Sequence, residues 1–311
     1  MLSEDVCVGI PTYGGAPRMR HVVKSILLNT EPDTLGRIHL RLLDDGSLDG
    51  GMGVRSVGQQ AASADRFLSV ECLRHGDNLG IVSSWNDLAR STDCEIIVLL
   101  NDDILVAPGW LDAMVYFLRN NPQAGAASWG FQFIIQDDVR VLLSEKGAGV
   151  PPRHHATKAI LPGNEWEPHG HKPGRMMCPA GCCFAFTRER FEEVGGFDTR
   201  FRSFYEETDF GTRLAEMGYP CFGLTWPRLY HIWGATFAAS PELRCHETMT
   251  ASREAYRKKW GCGPGDAPQN DVHGRLMPKI PGFVVRWVYN DEEKAEADPP
   301  CTCGLCKPVE D

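Results

Sequence analysis

The sequence predicts an α/β fold: a mainly parallel, doubly wound sheet with helices on both faces, followed by a C-terminal helical extension. Three observations carry this expectation. Short apolar runs alternate with stretches of helical spacing from residue 6 to residue 121. Each apolar run ends in a loop rich in Pro, Gly, Asp or Asn. The polar motifs "PTY", "DDGS", "DNLG" and "NDD" all occupy those loops. Strands that alternate with helices pair in parallel and are covered on both faces. The four motifs therefore fall at one carboxyl edge of the sheet, where open α/β folds bind ligands.

The elements follow in order. Residues 6–10, "VCVGI", form an apolar strand, and residues 16–29 carry Met19, Val22, Val23, Ile26 and Leu27 at helical spacing. Residues 38–43 make a second strand entering "DDGSLDGGMG", and residues 68–73 a third entering "HGDNLG" and the helix "IVSSWNDLARS". The fourth strand, residues 95–100, enters "NDD" and the helix "GWLDAMVYFLRNN". Beyond residue 125, "WGFQFIIQDDVRVLLSE" reads as two strands around a "QDD" turn. Residues 147–178 have weak periodicity and much Pro, Gly and His, so they read as one long flexible loop. Then come "CCFAFT" as a strand, "RERFEEVGG" and "EETDFGTRLAEMGY" as helices, and "PCFGLTWPRLYHI" as a last strand. Residues 241–260 look helical. The expected division is an α/β domain over 1–238, an extension over 239–290 and an acidic, Cys-containing tail over 291–311.

Composition narrows the function classes. The 311 residues can bury a full core. A net charge of −9 gives no overall positive field to attract nucleic acid or an acidic membrane. The chain lacks an apolar run long enough to span a bilayer and a basic-then-apolar leader, which leads to the expectation of a cytoplasmic protein, with peripheral membrane contact still open. Most of the twelve cysteines sit in apolar runs and read as buried thiols. The tail "CTCGLC" differs: Cys301, Cys303 and Cys306 supply three of the four ligands a structural Zn²⁺ needs, with Cys262, Cys245 or His246 as the fourth. The other reading of this tail is one without metal. No G-x₄-G-K-[ST] occurs, which removes a P-loop NTPase, and "PTYGGAPRMR" lacks the glycine-rich basic loop of a sugar-nucleotide pyrophosphorylase.

Five segments in fixed order, "GIPTYGG", "LLDDGS", "DNLGIVSSWN", "LLNDDILVAPGWL" and "CCFAFTRERFEEVGGFDTRFRSFYEETDFGTRLAEMGY", followed by "HIWGATF", resemble a family 2 glycosyltransferase with the GT-A fold. The resemblance covers roughly residues 5–238 and implies an enzyme that moves a sugar from a nucleotide-diphospho-sugar, a UDP- or dTDP-sugar, to a hydroxyl acceptor. That acceptor is a glycan, a lipid-linked sugar, a protein or a modified nucleobase. It further implies a nucleotide site made by Pro11, Thr12, Tyr13, Asp44, Asp45, Asn78 and Gly80. The family's metal motif, for Mn²⁺ or Mg²⁺, falls on "NDD", where Asn101 replaces the first aspartate; Asp103 is then the direct ligand and Asp102 a ribose or sugar contact. Two adjacent carboxylates at the end of an apolar strand suit a hard divalent ion. His231 matches the histidine that completes the metal site. Glu207 at the helix start is the expected general base, with Glu206 and Asp209 as alternatives. Gly181 and Cys182 would lie against the sugar, and Trp233 belongs to the same acceptor side. Inversion at the anomeric carbon follows from the resemblance and a single base. The competing class is a nucleotide-sugar-binding protein of this fold without catalysis.

Overall fold

The computed structural model describes residues 5–129, 131–134, 153–156, 174–176, 178–224, 229–231, 235–243 and 245–261. The first half runs β1 (Val6–Thr12), α1 (Ala16–Asn29), the short α2 (Pro32–Leu35), β2 (Ile38–Asp44), α3 (Met52–Ser63), β3 (Ser69–Arg74), α4 (Ile81–Arg90), β4 (Ile96–Leu100), β5 (Ile104–Leu105) and α5 (Trp110–Asn120). The second half adds β6 (Ala126–Trp129), β7 (Phe131–Ile134), β8 (Arg153–Ala156), β9 (Gly174–Met176), β10 (Cys183–Thr187), α6 (Arg188–Glu193), α7 (Glu206–Glu216), β11 (Cys221–Leu224), β12 (Leu229–His231), α8 (Ala235–Ala239), a 3₁₀ turn (Pro241–Leu243) and α9 (Cys245–Trp260).

Eight strands form the main sheet in the order β3-β2-β1-β4-β10-β6-β11-β9. The first four are parallel, whereas β10 runs antiparallel between β4 and β6. β1 and β4 are buried along their whole length, as expected of central strands covered on both faces. One core cluster joins α1, α3 and α5 to one face through Met19, Val57 and Phe117; the other joins α4, α6, α7 and α9 to the opposite face through Trp85, Phe191, Phe210 and Tyr256. This is the doubly wound arrangement the alternation predicts.

A second sheet, β5-β12-β7-β8, was not legible in the sequence. Its elements are two to four residues long, too short to show a period. It corrects the expected last strand: residues 220–232 divide into β11, in the main sheet, and β12, in the small one. Pairing of β12 with β5 sets His231 opposite Ile104, next to Asp103. Helix α3, for which the sequence reading assigned no element beyond the loop "DDGSLDGGMG", also emerges. The stretch read as one loop holds β8 and β9. The "QDD" turn lies outside the described residues.

Helix α9, which begins beyond the expected boundary at 238, packs on α7. Tyr256 is fully buried and its hydroxyl lies 3.1 Å from Thr212 Oγ1. Ser252 Oγ donates to the Ser203 carbonyl at 2.6 Å. Lys259 Nζ reaches Asp198 Oδ2 at 2.7 Å and Asp209 Oδ1 at 2.6 Å, and Trp260 Nε1 donates to Asp209 at 2.9 Å. Truncating a buried aromatic removes transfer free energy and leaves a cavity, so Tyr256→Ala is expected to cost about 3–5 kcal/mol in urea unfolding. Tyr256→Phe is expected to lose only the hydroxyl contact, about 1 kcal/mol. Asp198 carries a pH dependence as well. Hydrogen bonds from Arg200, then Lys259, hold its carboxyl far below the ordinary 3.8. A depressed folded-state pKa stabilises the fold above the ordinary value and loses that contribution as pH falls below it. Amide protection in α9 is therefore expected to stay level from pH 7 to pH 4 and to drop at more acidic pH, and to lose this acid-sensitive step in Asp198→Asn.

Candidate active site

The carboxyl ends of β1, β2 and β4, the loop after β3, the approach to β10 and the start of α7 enclose a cavity of about 420 Å³. Most of the residues expected from the sequence line it: Pro11, Thr12, Tyr13, Asp45, Asn78, Gly80, Asn101, Asp102, Asp103, Gly181, Cys182, Glu206, Glu207 and His231. Asp44 and Asp209 do not. Asp44 turns to Arg74, at 3.1 Å, and to the Ser47 amide, at 3.2 Å, bracing its own loop. Asp209, one face round α7, is buried in the ion cluster with Arg213 and Lys259. Trp233 and the cysteines of the tail lie outside the described residues.

The adjacent aspartates have different surroundings. Asp102 accepts hydrogen bonds from the Thr12 hydroxyl and from Arg18 Nη2, the latter at 2.9 Å. The same Arg18 nitrogen donates to Thr236 Oγ1 at 3.1 Å, so α1, the metal-motif loop and α8 meet at one carboxylate. Burial pushes the Asp102 carboxyl up to about 6; Arg18 opposes the shift and Asp103 adds to it. Asp103 faces His231, with Oδ1 3.4 Å from Nε2. Among the described residues, the buried Oδ1 atoms of Asp103 and Asn101 accept no hydrogen bond. Buried oxygens without donors are costly unless something else supplies positive charge. The Asp103 oxygen beside the His231 imidazole nitrogen, with Asn101 lining the same cavity, has the donor chemistry to fit a divalent cation. No group of three His, Cys, Asp or Glu side chains gathers among the described residues, so bound phosphate and water would complete the coordination.

Asp45 organises the third loop. Its Oδ1 accepts from the Leu79 amide at 2.9 Å and contacts His75 Nδ1 at 2.7 Å, and its Oδ2 accepts from the Gly80 amide at 2.9 Å. His75 also contacts Asp87 at 2.9 Å. Gly46 is a position that only glycine fits, at φ 77° with the backbone of Asp77 where a Cβ would stand.

Glu206 and Glu207 open α7, where the helix dipole favours ionised carboxylates. Phe204 and Tyr205, immediately before them, both have left-handed backbones, φ 67° and 65°. Two such residues in succession hold strain that the surrounding packing must maintain. Phe204 stacks on Phe237 of α8 at 5.2 Å and 15°. Thr208 Oγ1 donates to Glu207 Oε1 at 3.3 Å. A Cβ on Gly181 would stand 3.3 Å from Glu207 Cγ, so glycine leaves the space above that side chain open.

Sequence reading missed Arg18, His75, Arg202, Phe204, Thr236 and Phe237. Each acts through a partner distant in sequence; Arg18 and Thr236, for example, are 218 positions apart.

The fold resembles solved GT-A enzymes. A mannosyltransferase from Pyrobaculum calidifontis, solved with GDP-Man and Mn²⁺, superposes with a TM-score of 0.58, at 20% identity over 89% of this chain and 70% of that one. GalNAc-T7, solved with UDP, GalNAc and Mn²⁺, gives a TM-score of 0.57, at 16% identity over 74% of this chain and 43% of that one. The likeness defines the fold as GT-A type. The glycosyl transferase family 2 model matches residues 7–195, and the chain belongs to that family. Among curated relatives, the N-acetylglucosaminyl-diphospho-decaprenol L-rhamnosyltransferase of Mycobacterium tuberculosis is 25% identical over 266 residues, 78% of this chain and 76% of the relative. The O-antigen biosynthesis protein RfbC of Myxococcus xanthus is 28% identical over 207 residues, 64% of this chain and 15% of the relative.

Removing one partner of a buried ion pair strands the other charge. Arg18→Met is therefore expected to destabilise the protein by about 3–5 kcal/mol in denaturant unfolding. Arg200→Met, at an arginine whose side chain is 64% exposed, is expected to cost under about 1 kcal/mol.

Proposed function

We propose that this glycosyltransferase is metal-dependent and inverting, and that it moves a sugar from a UDP- or dTDP-sugar to a hydroxyl of a glycan carried on a lipid diphosphate. The observation that carries the metal assignment is the pair Asp103 Oδ1 and His231 Nε2, 3.4 Å apart after the end of β4, with the buried Oδ1 atoms of Asp103 and of Asn101, which lines the same cavity, accepting no hydrogen bond from the described residues. These atoms would hold Mn²⁺ or Mg²⁺; when bound, the ion supplies Lewis-acid neutralisation of the departing diphosphate. The Mn²⁺ in the two solved GT-A relatives supports this reading.

The rest of the reaction is assigned to side chains of the chain. Tyr13, Asp45 and the loop at Asn78 and Gly80 hold the nucleoside. Glu207 takes the proton from the acceptor hydroxyl. That oxygen bonds to the anomeric carbon as the bond from that carbon to the diphosphate oxygen breaks, and the nucleoside diphosphate leaves. Glu207 lines the cavity at the start of α7 and accepts a hydrogen bond from the Thr208 hydroxyl, which supports its role as base. Attack opposite the leaving group, with one base, inverts the configuration. The similarity to a rhamnosyltransferase named for a diphospho-decaprenol acceptor supports the lipid-linked acceptor. A cytoplasmic site at the membrane surface suits such an acceptor, and no helix among the described residues is long and apolar enough to cross a membrane.

A ligand that binds only the folded state raises its stability by mass action. Thermal unfolding with a panel of nucleotide sugars is expected to shift upward for UDP- or dTDP-sugars when Mn²⁺ is present, and Asp103→Ala is expected to abolish that shift. A shift of equal size without metal, or in Asp103→Ala, would end the metal assignment. Glu207→Gln is expected to retain the donor-induced shift and lose roughly 10²- to 10⁴-fold in turnover; full turnover in that variant would remove Glu207 as the base.

A further inference from the structure

The cavity wall carries the carboxylates of Asp45, Asp102, Asp103, Glu206 and Glu207, and among the described residues one lysine or arginine, Arg202. That arginine is pinned. Its Nη2 donates to the Asn78 carbonyl at 2.7 Å and to Asn78 Oδ1 at 3.0 Å, across 124 positions of sequence. Gly80 makes the room: at φ 89°, a Cβ there would lie 2.7 Å from Arg202 Cγ and from its carbonyl oxygen. Asn78 and Gly80 together form a seat for the guanidinium.

Despite five carboxylates in the same cavity, Arg202 forms no ion pair with the described residues, and its known bonds use Nη2 alone. A guanidinium has five donors in a planar fork that matches phosphate oxygens, and among the described residues no acceptor pairs with Nε or Nη1 of this exposed arginine. Five carboxylates around a cavity repel an anionic substrate unless a fixed cation offsets them locally. We propose that Arg202 binds a phosphate group of the acceptor. The donor diphosphate already has its place at Asn101, Asp103 and His231, an assignment on which this inference rests. Arg202 lies four residues before Glu206, on the segment that leads into the base helix, so an acceptor presenting its hydroxyl to Glu207 has its own phosphate within this segment's reach. The substrate class is a phosphorylated sugar, in which the sugar bears the attacking hydroxyl and the phosphate fixes its register.

Inorganic phosphate is a sufficient probe, applied to the full chain with UDP and Mg²⁺ already bound so that the donor phosphate positions are filled. Calorimetry is expected to show phosphate binding to this complex and a roughly tenfold or greater weakening in Arg202→Gln, the loss of a charge-assisted contact. Arg202→Lys, which keeps the charge, should retain part of the binding. UDP affinity in Arg202→Gln is expected to stay near that of the parent, which also shows that the variant is folded. A large loss of UDP affinity with no phosphate response would move Arg202 to the donor diphosphate and overturn the acceptor assignment. Unchanged phosphate binding in Arg202→Gln, whatever happens to UDP, would leave Arg202 with its contacts to Asn78 alone and overturn the proposal entirely. Failure of UDP to bind the parent protein would instead count against the donor site, a separate result.

Discussion

Two carboxylates adjacent in sequence at the end of a buried strand must not share one environment, and the site is arranged around that constraint. Asp102 and Asp103 leave β4 side by side, and like charges so close raise the cost of ionising both. The fold separates their surroundings. Asp102 turns to α1, where Arg18 and Thr12 provide a cation and hydroxyl. Asp103 turns to β12, where His231 Nε2 lies 3.4 Å from its Oδ1. The first aspartate ties three elements together at the cavity wall, and the second faces an imidazole.

The same division recurs on α7. Glu206 and Glu207 face the cavity, while Asp209, two residues on, faces away into a buried cluster with Arg213, Lys259 and Trp260. A helix advances about 100° per residue, so acidic neighbours at its start point in different directions. Buried ionic groups are costly unless every partner is supplied, and Asp209 receives donors from its own helix and from α9. Helix α9, which lines the cavity through Thr248, thus also supplies donors to the carboxylate that α7 turns away from that cavity.

The sequence made the first sheet legible because its strands are long enough to show apolar runs and its loops carry the polar motifs. Order along the chain was enough to place "PTY", "DDGS", "DNLG" and "NDD" at one edge, and the cavity lies there. What remained hidden was pairing over distance. Nothing near residue 202 signals that Arg202 is seated on Asn78, and nothing near Thr236 signals Arg18. The roles of Asp44 and Asp45 were equally closed to pattern: both follow the same strand, and only the third loop decides which faces the cavity. The split of residues 220–232 into two strands escaped because each piece is too short for periodicity, although the "WPR" between them marks a break. Local chemistry was readable, and three-dimensional closure was not.

The packing of α9 on α7 also bears on the order in which the protein acquires its parts during synthesis. Asp209 has Arg213 beside it as soon as α7 forms, but Lys259 and Trp260 follow about 50 residues later. A chain emerging from the ribosome at about 5–20 residues per second spends seconds with the cleft loops translated and that acidic cluster lacking two of its donors. The nucleotide-facing strands can pair in this interval, since all of them precede residue 101. The helix that bears the glutamates cannot complete its packing. The parallel half of the sheet can thus assemble before α7 is fully packed, and the last described helix to leave the ribosome is the one that completes that packing.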